Sequence, residues 1–313
     1  MSAAGRFAPS PTGDLHLGNL RTALVAWLSA RSQGLDFRVR MEDLDRMTSS
    51  TAFEAAQLST LAVLGLDTDG EIVRQSARFA LYESAIERLV EQDRTYECYC
   101  TRREIREAAS APQGTGHAEG TYPGTCRHLS HGQRQQYAQQ RRPSALRLRA
   151  GAERVDVVDD LRGSYTAVVD DVVLRRNDGV PAYNLAVVVD DAAQHVVEVV
   201  RGDDLLPSTP RQVLLQRLLQ LPTPRYRHVP LVLGPDGVRL AKRHGDVTLA
   251  QLAERGVSPE QVLMLLAQSL GLASANEVAS QPLTIHDLLD RFDVGVIPTK
   301  PWVIPANLQR SVP

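Results

Sequence analysis

The decisive stretch is Gly5-Arg6-Phe7-Ala8-Pro9-Ser10-Pro11-Thr12-Gly13-Asp14-Leu15-His16-Leu17-Gly18-Asn19. Gly5 to Ser10 is short and extended. It runs into Pro9-Ser10-Pro11-Thr12-Gly13, a turn that a helix cannot occupy, because each proline removes a donor and restricts the residue before it. From Leu17 the apolar residues Leu17, Leu20, Leu24, Trp27 and Leu28 recur at helical spacing, ending near Gly34. Phe37-Arg38-Val39-Arg40-Met41 then alternates as a strand with one buried face. Strand, turn, helix, strand predicts the opening of a parallel α/β sheet. Ligands in such sheets sit beyond the carboxyl ends of the strands, and helix N-termini attract phosphate. The segment therefore predicts a nucleotide site, with Gly18 letting a nucleotide approach the backbone and His16 donating to a phosphate oxygen. An isolated His-x-Gly-x is more often a turn with a surface histidine, so this reading depends on the rest of the chain.

Outward from this unit, helical segments are expected over Glu54 to Leu64 and over Ala77 to Gln92, the second with apolar positions at Leu81, Ala85, Ile86 and Leu89. Between Ser110 and Gly124 the composition shifts to Gly, Pro, Ser and Thr without periodicity. Leu146 to Arg149, Val155 to Val158, Val168 to Leu174 and Leu185 to Val200 are valine-rich and predict strands. A helix is expected over Thr209 to Leu219. Thr248-x-x-Gln251 and Ser258-Pro259-Glu260-Gln261 have capping-box spacing, the second with proline at the first helical position.

A chain of 313 residues suggests about two domains. Its 43% hydrophobic and 23% charged residues are ordinary for a soluble globular protein that buries its own core. No apolar run approaches the ~18 residues of a membrane span, and Met1 to Ser10 shows no signal-peptide pattern, so a cytoplasmic protein without membrane contact is expected. The net charge of −2 excludes an overall basic coat for nucleic acid, though not a local basic face. Lys242 and Lys300 are the two lysines among 35 basic residues, which singles out any lysine standing in a motif. The three cysteines, Cys98-x-Cys100 and Cys126, suit Zn(II) in a closed structural site better than a disulfide. By ordinary ligand chemistry His128 or His117 would complete the set.

Several blocks together resemble the class I glutamyl-tRNA synthetases: Arg6 to Gly13, His16-Leu17-Gly18-Asn19, Arg40-Met41-Glu42-Asp43-Leu44-Asp45, Tyr183 to Ala192, Val200-Arg201-Gly202-Asp203-Asp204-Leu205-Leu206 and Ser208 to Gln212. They run in collinear order over roughly residues 5 to 250. Within the family they are most similar to its short branch, which glutamylates queuosine in tRNA(Asp). Arg239-Leu240-Ala241-Lys242-Arg243 stands where the family has its KMSKS loop. It departs from that pattern at Arg239, Ala241 and Arg243, and arginine is not a neutral exchange for lysine.

The resemblance implies an α/β fold: a Rossmann-type parallel sheet with a zinc-pinned insertion, a short C-terminal helical stub and no anticodon-binding domain. It implies four units, 1–95 and 181–247 as the halves of the catalytic domain, 96–180 as the zinc-containing insertion and 248–313 as the stub. ATP would bind at His16, Gly18, Asn19 and Lys242, accompanied by Mg(II), with His16, Gly18 and Lys242 serving catalysis. L-Glutamate would bind at Arg6, Ala8, Ser10, Glu42, Tyr183 and Arg201, an arginine fork meeting a carboxylate and an anion meeting the ammonium. A tyrosine completes the metal set in the short branch, giving Cys98, Cys100, Tyr122 and Cys126, with His128 as the rival. The implied activity is ATP-dependent activation of glutamate and its transfer to the cyclopentenediol of queuosine in the anticodon of tRNA(Asp), by a monomer. The alternatives are a truncated glutamyl-tRNA synthetase charging the terminal adenosine and a non-catalytic zinc-containing RNA-binding relative. Arg141, Arg142, Arg147 and Arg149 stand as candidate phosphate contacts or as a solvated basic face.

Overall fold

The computed structural model describes residues 2–109, 122–240, 247–274, 283–305 and 308 of the chain. In chain order the elements are β1 (Ala4–Phe7), α1 (Leu17–Ser32), β2 (Asp36–Met41), α2 (Thr51–Val63), β3 (Val73–Arg74), α3 (Phe79–Glu91), β4 (Thr95–Cys98), α4 (Arg102–Ala109), α5 (His131–Gln139), β5 (Ala145–Leu148), β6 (Arg154–Asp159), β7 (Gly163–Val168), β8 (Val173–Arg175), α6 (Tyr183–Ala193), β9 (Val196–Gly202), α7 (Thr209–Leu218), β10 (Arg225–Val229), β11 (Val232–Leu233), α8 (Leu249–Glu254), α9 (Pro259–Ser269), α10 (Ile285–Arg291) and β12 (Trp302–Val303).

Seven strands form the main sheet in the order β3-β2-β1-β9-β10-β6-β7. All neighbours are parallel except β6 and β7, which form an antiparallel hairpin. Helices cover both faces, as a parallel sheet requires. On one face Leu17, Leu20, Leu24 and Leu28 of α1 join Phe37, Val39 and Met41 of β2 and the apolar sides of α9 and α10. On the other, Tyr82, Ile86 and Leu89 of α3 join α6 and α7 over Val155, Val196 and Val199. The chain can cross close to α1 at Gly5, where an added Cβ would lie 3.0 Å from that of Ala30. Arg21 ties α1 to the C-terminal helices: its Nε and Nη2 donate to the hydroxyl and carbonyl of Ser269, and its Nη1 to Pro230 O at 3.0 Å.

In a second, antiparallel sheet of three strands, β4-β5-β8, β4 ends on Cys98, with Cys100 just beyond it and Cys126 in a separate turn. β6 and β7 lie inside the stretch 96–180 yet pair into the main sheet, so only part of that stretch belongs to the small one. Both expected capping boxes are formed, at Thr248 and Ser258.

Two strand expectations are corrected. Leu185 to Val200 is not one strand: Tyr183–Ala193 is helical and only Val196–Gly202 is extended. Leu185, Ala186, Val187 and Val188 are all buried, so the segment reads as a continuous apolar run, which periodicity cannot distinguish from a buried strand. Tertiary burial overrides the β preference of its valines. Val168 to Leu174 is likewise broken between β7 and β8 by Asp170 and Asp171, whose side chains serve the small sheet.

Candidate active site and metal centre

Five parallel strands deliver polar residues near their carboxyl ends: Arg6 from β1, Arg40 from β2, Arg201 from β9, His228 from β10 and Asp159 from β6. Arg40 is fully buried. Its Nη1 lies 2.7 Å from Asp191 Oδ1 and 2.9 Å from Gln194 Oε1, and its Nη2 lies 3.3 Å from Glu42 Oε1. Arg6 donates to Val200 O at 2.9 Å and faces Asp191 at 3.6 Å. Asp190, next in the pile, is held by Arg78, Gln75 and the Tyr82 hydroxyl at 2.6–2.9 Å. Arg201 is held by three acceptors: His228 Nε2 at 3.0 Å, Gln212 Oε1 at 2.8 Å and Thr209 Oγ1 at 2.8 Å.

The electrostatics leave two of these groups short of counter-charge. Burial pushes the Glu42 carboxyl up from its ordinary value, against the pull of Arg40 and Arg6. Burial drives Arg6 the other way, with Asp191 opposing it. Burial and the Glu42 charge raise the Tyr183 phenol to about 12, so it stays protonated and able to donate. A ligand carrying both a carboxylate and an ammonium would relieve both deficits.

His16 is the N-cap of α1. Its Nδ1 accepts from Gly18 N at 3.0 Å and Asn19 N at 3.3 Å, while the Asn19 side chain accepts from His16 N. The structure gives Gly18 a further reason to be glycine: an added Cβ would lie 2.9 Å from His16 Cε1, so any side chain displaces the ring. Ala8 is half-buried and Ser10 exposed, in a turn fixed by Gln57, which donates to Ser10 O and Gly13 O, and by Glu42 N, which donates to Pro9 O. Lys242 and His117 lie outside the described residues. Leu240 N donates to Val232 O, and Val247 O accepts from Leu17 N, so both chain ends flanking 241–246 are anchored beside this helix start. Arg239 pairs with Asp204 at 2.7 Å.

Beside the small sheet the sulfurs of Cys98, Cys100 and Cys126 all lie within 4.8 Å of one another. The Cys100 and Cys126 sulfurs are 3.5 Å apart, and the Tyr122 hydroxyl is 3.3 Å from Cys98 Sγ and 4.0 Å from Cys100 Sγ. A tetrahedral ion with bonds of roughly 2.3 Å to sulfur and 2.0 Å to oxygen needs S···S and S···O separations of about 3.5–3.8 Å. The donor set fits a metal ion. Hydrogen bonds from Cys100 and Cys126 hold the Cys98 thiol well below the ordinary range, and the same contacts push Cys100 up, so the three sulfurs share their protons around one thiolate. His128 is exposed and is not part of the cluster. The Arg147 guanidinium lies 3.7 Å above the Tyr122 ring and donates to Asp171 O at 2.7 Å. Arg149 stacks on Tyr96, and Arg142 pairs with Glu104, so of the four arginines between 141 and 149 only Arg141 is exposed.

Asp190, Asp191, Thr209 and Gln212 lie in blocks that carry the resemblance but receive no role from the sequence, and Asp159 and His228 escape it altogether. A signal existed for the acidic pair, because Asp190-Asp191 closes an apolar run, and charges there are buried only with partners. Asp159 and His228 are 69 residues apart and nothing local links them.

Residues 3–297 match the family model for tRNA synthetases class I (E and Q), catalytic domain. The chain is 58% identical to a glutamyl-Q tRNA(Asp) synthetase of Nocardia farcinica, over 98% of this chain and 94% of that protein. It is 40% identical to a glutamate–tRNA ligase of Geobacter sulfurreducens, over 93% of this chain and 61% of that protein. The crystal structure of a glutamate tRNA ligase from Elizabethkingia meningosepticum, in complex with its amino acid, superposes with a TM-score of 0.81 at 28% identity, covering 99% of this chain and 68% of that one. The strand order, the capped helix start at His16 and these matches agree: the chain belongs to the class I tRNA synthetases of the glutamyl and glutaminyl family.

Proposed function

We propose that the protein activates L-glutamate with ATP and transfers it to the cyclopentenediol of queuosine in tRNA(Asp), acting as a monomer in the cytoplasm. The single observation that carries the substrate assignment is the cluster at the carboxyl edge, where Glu42, 3.3 Å from Arg40, and Arg6, 3.6 Å from Asp191, are loosely paired, with Tyr183 and Arg201 acting on the same charges. Glu42 takes the α-ammonium. Arg6 and Arg201 take carboxylate, Tyr183 donates a hydrogen bond, and Ala8 and Ser10 shape the turn above them.

ATP lies at the start of α1 with its phosphates toward His16, Gly18 and Asn19, and Lys242 reaches them from the anchored loop. A carboxylate oxygen of glutamate attacks the α-phosphorus, the bond to the bridging oxygen breaks, and pyrophosphate leaves with the electron pair. The residues act by alignment and by stabilising charge on the leaving group. Magnesium accompanies the nucleotide and neutralises phosphate charge. A queuosine hydroxyl then attacks the activated carbonyl, AMP departs, and the ester forms as the hydroxyl proton is released. A five-membered ring with a cis-diol presents the same two hydroxyls as a terminal ribose, so the chemistry needs no new group.

Cys98, Cys100, Tyr122 and Cys126 would hold a structural zinc ion, which supplies a cross-link for the small sheet. In this scheme residues 1–95 and 181–247 build the activation site, the metal-bearing part of 96–180 approaches the RNA, and 248–313 contacts its stem.

The test is transfer of labelled glutamate, with ATP, to tRNA from cells able or unable to make queuosine. Label confined to the queuosine-containing pool is expected. Equal labelling of both pools means ordinary charging of the terminal adenosine, and none in either removes the catalytic reading.

A further inference from the structure

We propose that His228, locked by Asp159, is a positioning residue for Arg201, holding its guanidinium so that one N–H on each terminal nitrogen is left for a substrate carboxylate. The inference rests on the glutamate reading of the pocket given above.

Arg201 and His228 are register partners on adjacent parallel strands, and both are buried. A guanidinium has five N–H groups. Three are engaged by the protein, one from each nitrogen: Nε to His228, Nη1 to Gln212 and Nη2 to Thr209. That leaves one on each terminal nitrogen, the pair that forms a fork to a carboxylate. Two of the holders are themselves held. Gln212 Nε2 donates to Asn184 Oδ1 at 3.0 Å, which settles the Gln212 oxygen toward Arg201.

The His228 ring has a single workable tautomer. Asp159 Oδ1 accepts from Leu161 N at 3.0 Å and Arg162 N at 2.8 Å, and its Oδ2 lies 2.6 Å from His228 Nδ1 and accepts His228 N at 3.0 Å. With so many donors on it, Asp159 is held as a carboxylate, a pure acceptor, so Nδ1 must carry hydrogen. Arg201 Nε is always a donor, so His228 Nε2 must present its lone pair. An imidazolium would set one N–H against another and add a positive charge next to Arg201. Burial holds His228 below its ordinary value, Asp159 pulls the other way, and the Arg201 and Arg6 charges reinforce the burial. Among the described residues the ring also meets Thr209 Oγ1 at 3.2 Å and stacks with Tyr226 at 6.1 Å, neither of them charged at neutral pH. His228 is therefore neutral at pH 7 and becomes protonated only in acid. The three residues span β6, β10 and β9, which makes the orientation of Arg201 a property of the sheet and not of a loop.

Initial rates of glutamate transfer to queuosine-containing tRNA, measured against glutamate and against ATP, test this. His228→Asn keeps a donor near the Nδ1 position but no acceptor for Arg201, whereas His228→Gln can place an amide oxygen near the Nε2 position. His228→Asn should raise the KM for glutamate about 10- to 100-fold, an unpaired buried donor being the cause, and leave the KM for ATP within about twofold. His228→Gln should restore the glutamate KM to within about fivefold of wild type. In the wild type the glutamate KM should rise as pH falls below the ordinary histidine range, and in His228→Gln that rise should be blunted, which separates it from titration of Glu42. Arg201→Lys should itself raise the glutamate KM.

If Arg201→Lys does so and His228→Asn does not, the positioning role is overturned while the glutamate pocket stands. If neither moves it, the pocket reading fails as well. Equal acid limbs in wild type and His228→Gln, or parallel rises in both KM values, also overturn the role. Should His228→Asn not fold, the His228→Gln kinetics and the two pH profiles decide alone.

Discussion

Arg227 and Arg40 are both buried to within 1% of full exclusion, both hang from the main sheet, and both sit among acidic residues, yet the two networks differ in what they leave over. Around Arg227 both terminal nitrogens are paired, although its Nε, like those of Arg40 and Arg6, has no hydrogen-bond partner among the described residues. Its Nη1 lies 3.1 Å from Glu198 and also meets the Ser29 hydroxyl, and its Nη2 lies 2.9 Å from Asp160. Glu198 in turn accepts from Ser29 at 2.6 Å and Gln33 at 3.1 Å. Around Arg40 the account stays open at its edge. Glu42 meets Arg40 at only 3.3 Å, and Arg6 has one hydrogen bond to a carbonyl and an ion pair at 3.6 Å among the described residues. The closed network joins α1 to the middle of β9 and β10. The open one lies at the carboxyl ends of the strands, where ligands bind in this class of sheet. Buried charge alone thus marks nothing. Under-satisfied opposite charges at that edge mark a pocket for a zwitterion.

The comparison breaks most sharply at Arg227. Arg227→Ala strands Glu198 inside the protein, and breaking such a pair is expected to destabilise the fold by about 3–5 kcal/mol. Urea unfolding should show a lower midpoint at unchanged slope. Glutamate and ATP KM values of the surviving folded protein should match wild type. A raised glutamate KM would mean that the closed network reaches the pocket, and the distinction drawn here would be wrong.

The converse holds at Arg6. Arg6→Met removes a charge that burial already disfavours, so stability should change by less than about 1.5 kcal/mol, Asp191 keeping its bond to Arg40. The loss should fall on function instead: kcat/KM for glutamate down about 100- to 1,000-fold, equivalent to roughly 3–4 kcal/mol, with the KM for ATP unmoved. A large fall in stability with little change in kcat/KM would place Arg6 with Arg227.

How far this difference was legible in advance depends on the distance over which each contact is made. The strand-turn-helix-strand unit that holds Arg6, His16 and Glu42 is local and legible from the turn at Pro9 and Pro11 outward, whereas the roles of Arg6 and Glu42 follow only from the resemblance. The capping boxes at Thr248 and Ser258 are local too. The helix at Tyr183–Ala193 was misread because a segment buried all round loses the period that would identify it. The holders of Arg201 come from two elements, Thr209 and Gln212 from α7 and His228 from β10, and no spacing in the chain links them to it. Of the β6–β7 hairpin only β6 is read as a strand, since the reading at Val168 to Leu174 meets β7 at a single residue, and its place in the main sheet rests on the pairing of Tyr226 with Asp159 across 67 residues. Lys242, the residue the sequence singled out by rarity, is outside the described residues and keeps its role as a proposal.

The finest cut is at Thr209, which belongs to the open network without carrying charge. Its hydroxyl accepts from Arg201 Nη2 at 2.8 Å and lies 3.4 Å from Leu205 O. Thr209→Val keeps the shape and removes the acceptor, leaving one N–H of a buried guanidinium unpaired. Arg201 still has Gln212 and His228, so the ring of holders loosens without opening. The expected outcome is a rise of about tenfold in the glutamate KM, near 1.4 kcal/mol, with an unfolding midpoint close to wild type. Thr209→Ser, which restores the oxygen but not the methyl, should recover most of it. If valine behaves as wild type and serine does not, methyl packing rather than the hydrogen bond sets the position of α7, and Arg201 is held more by Gln212 and His228 than the three similar distances imply.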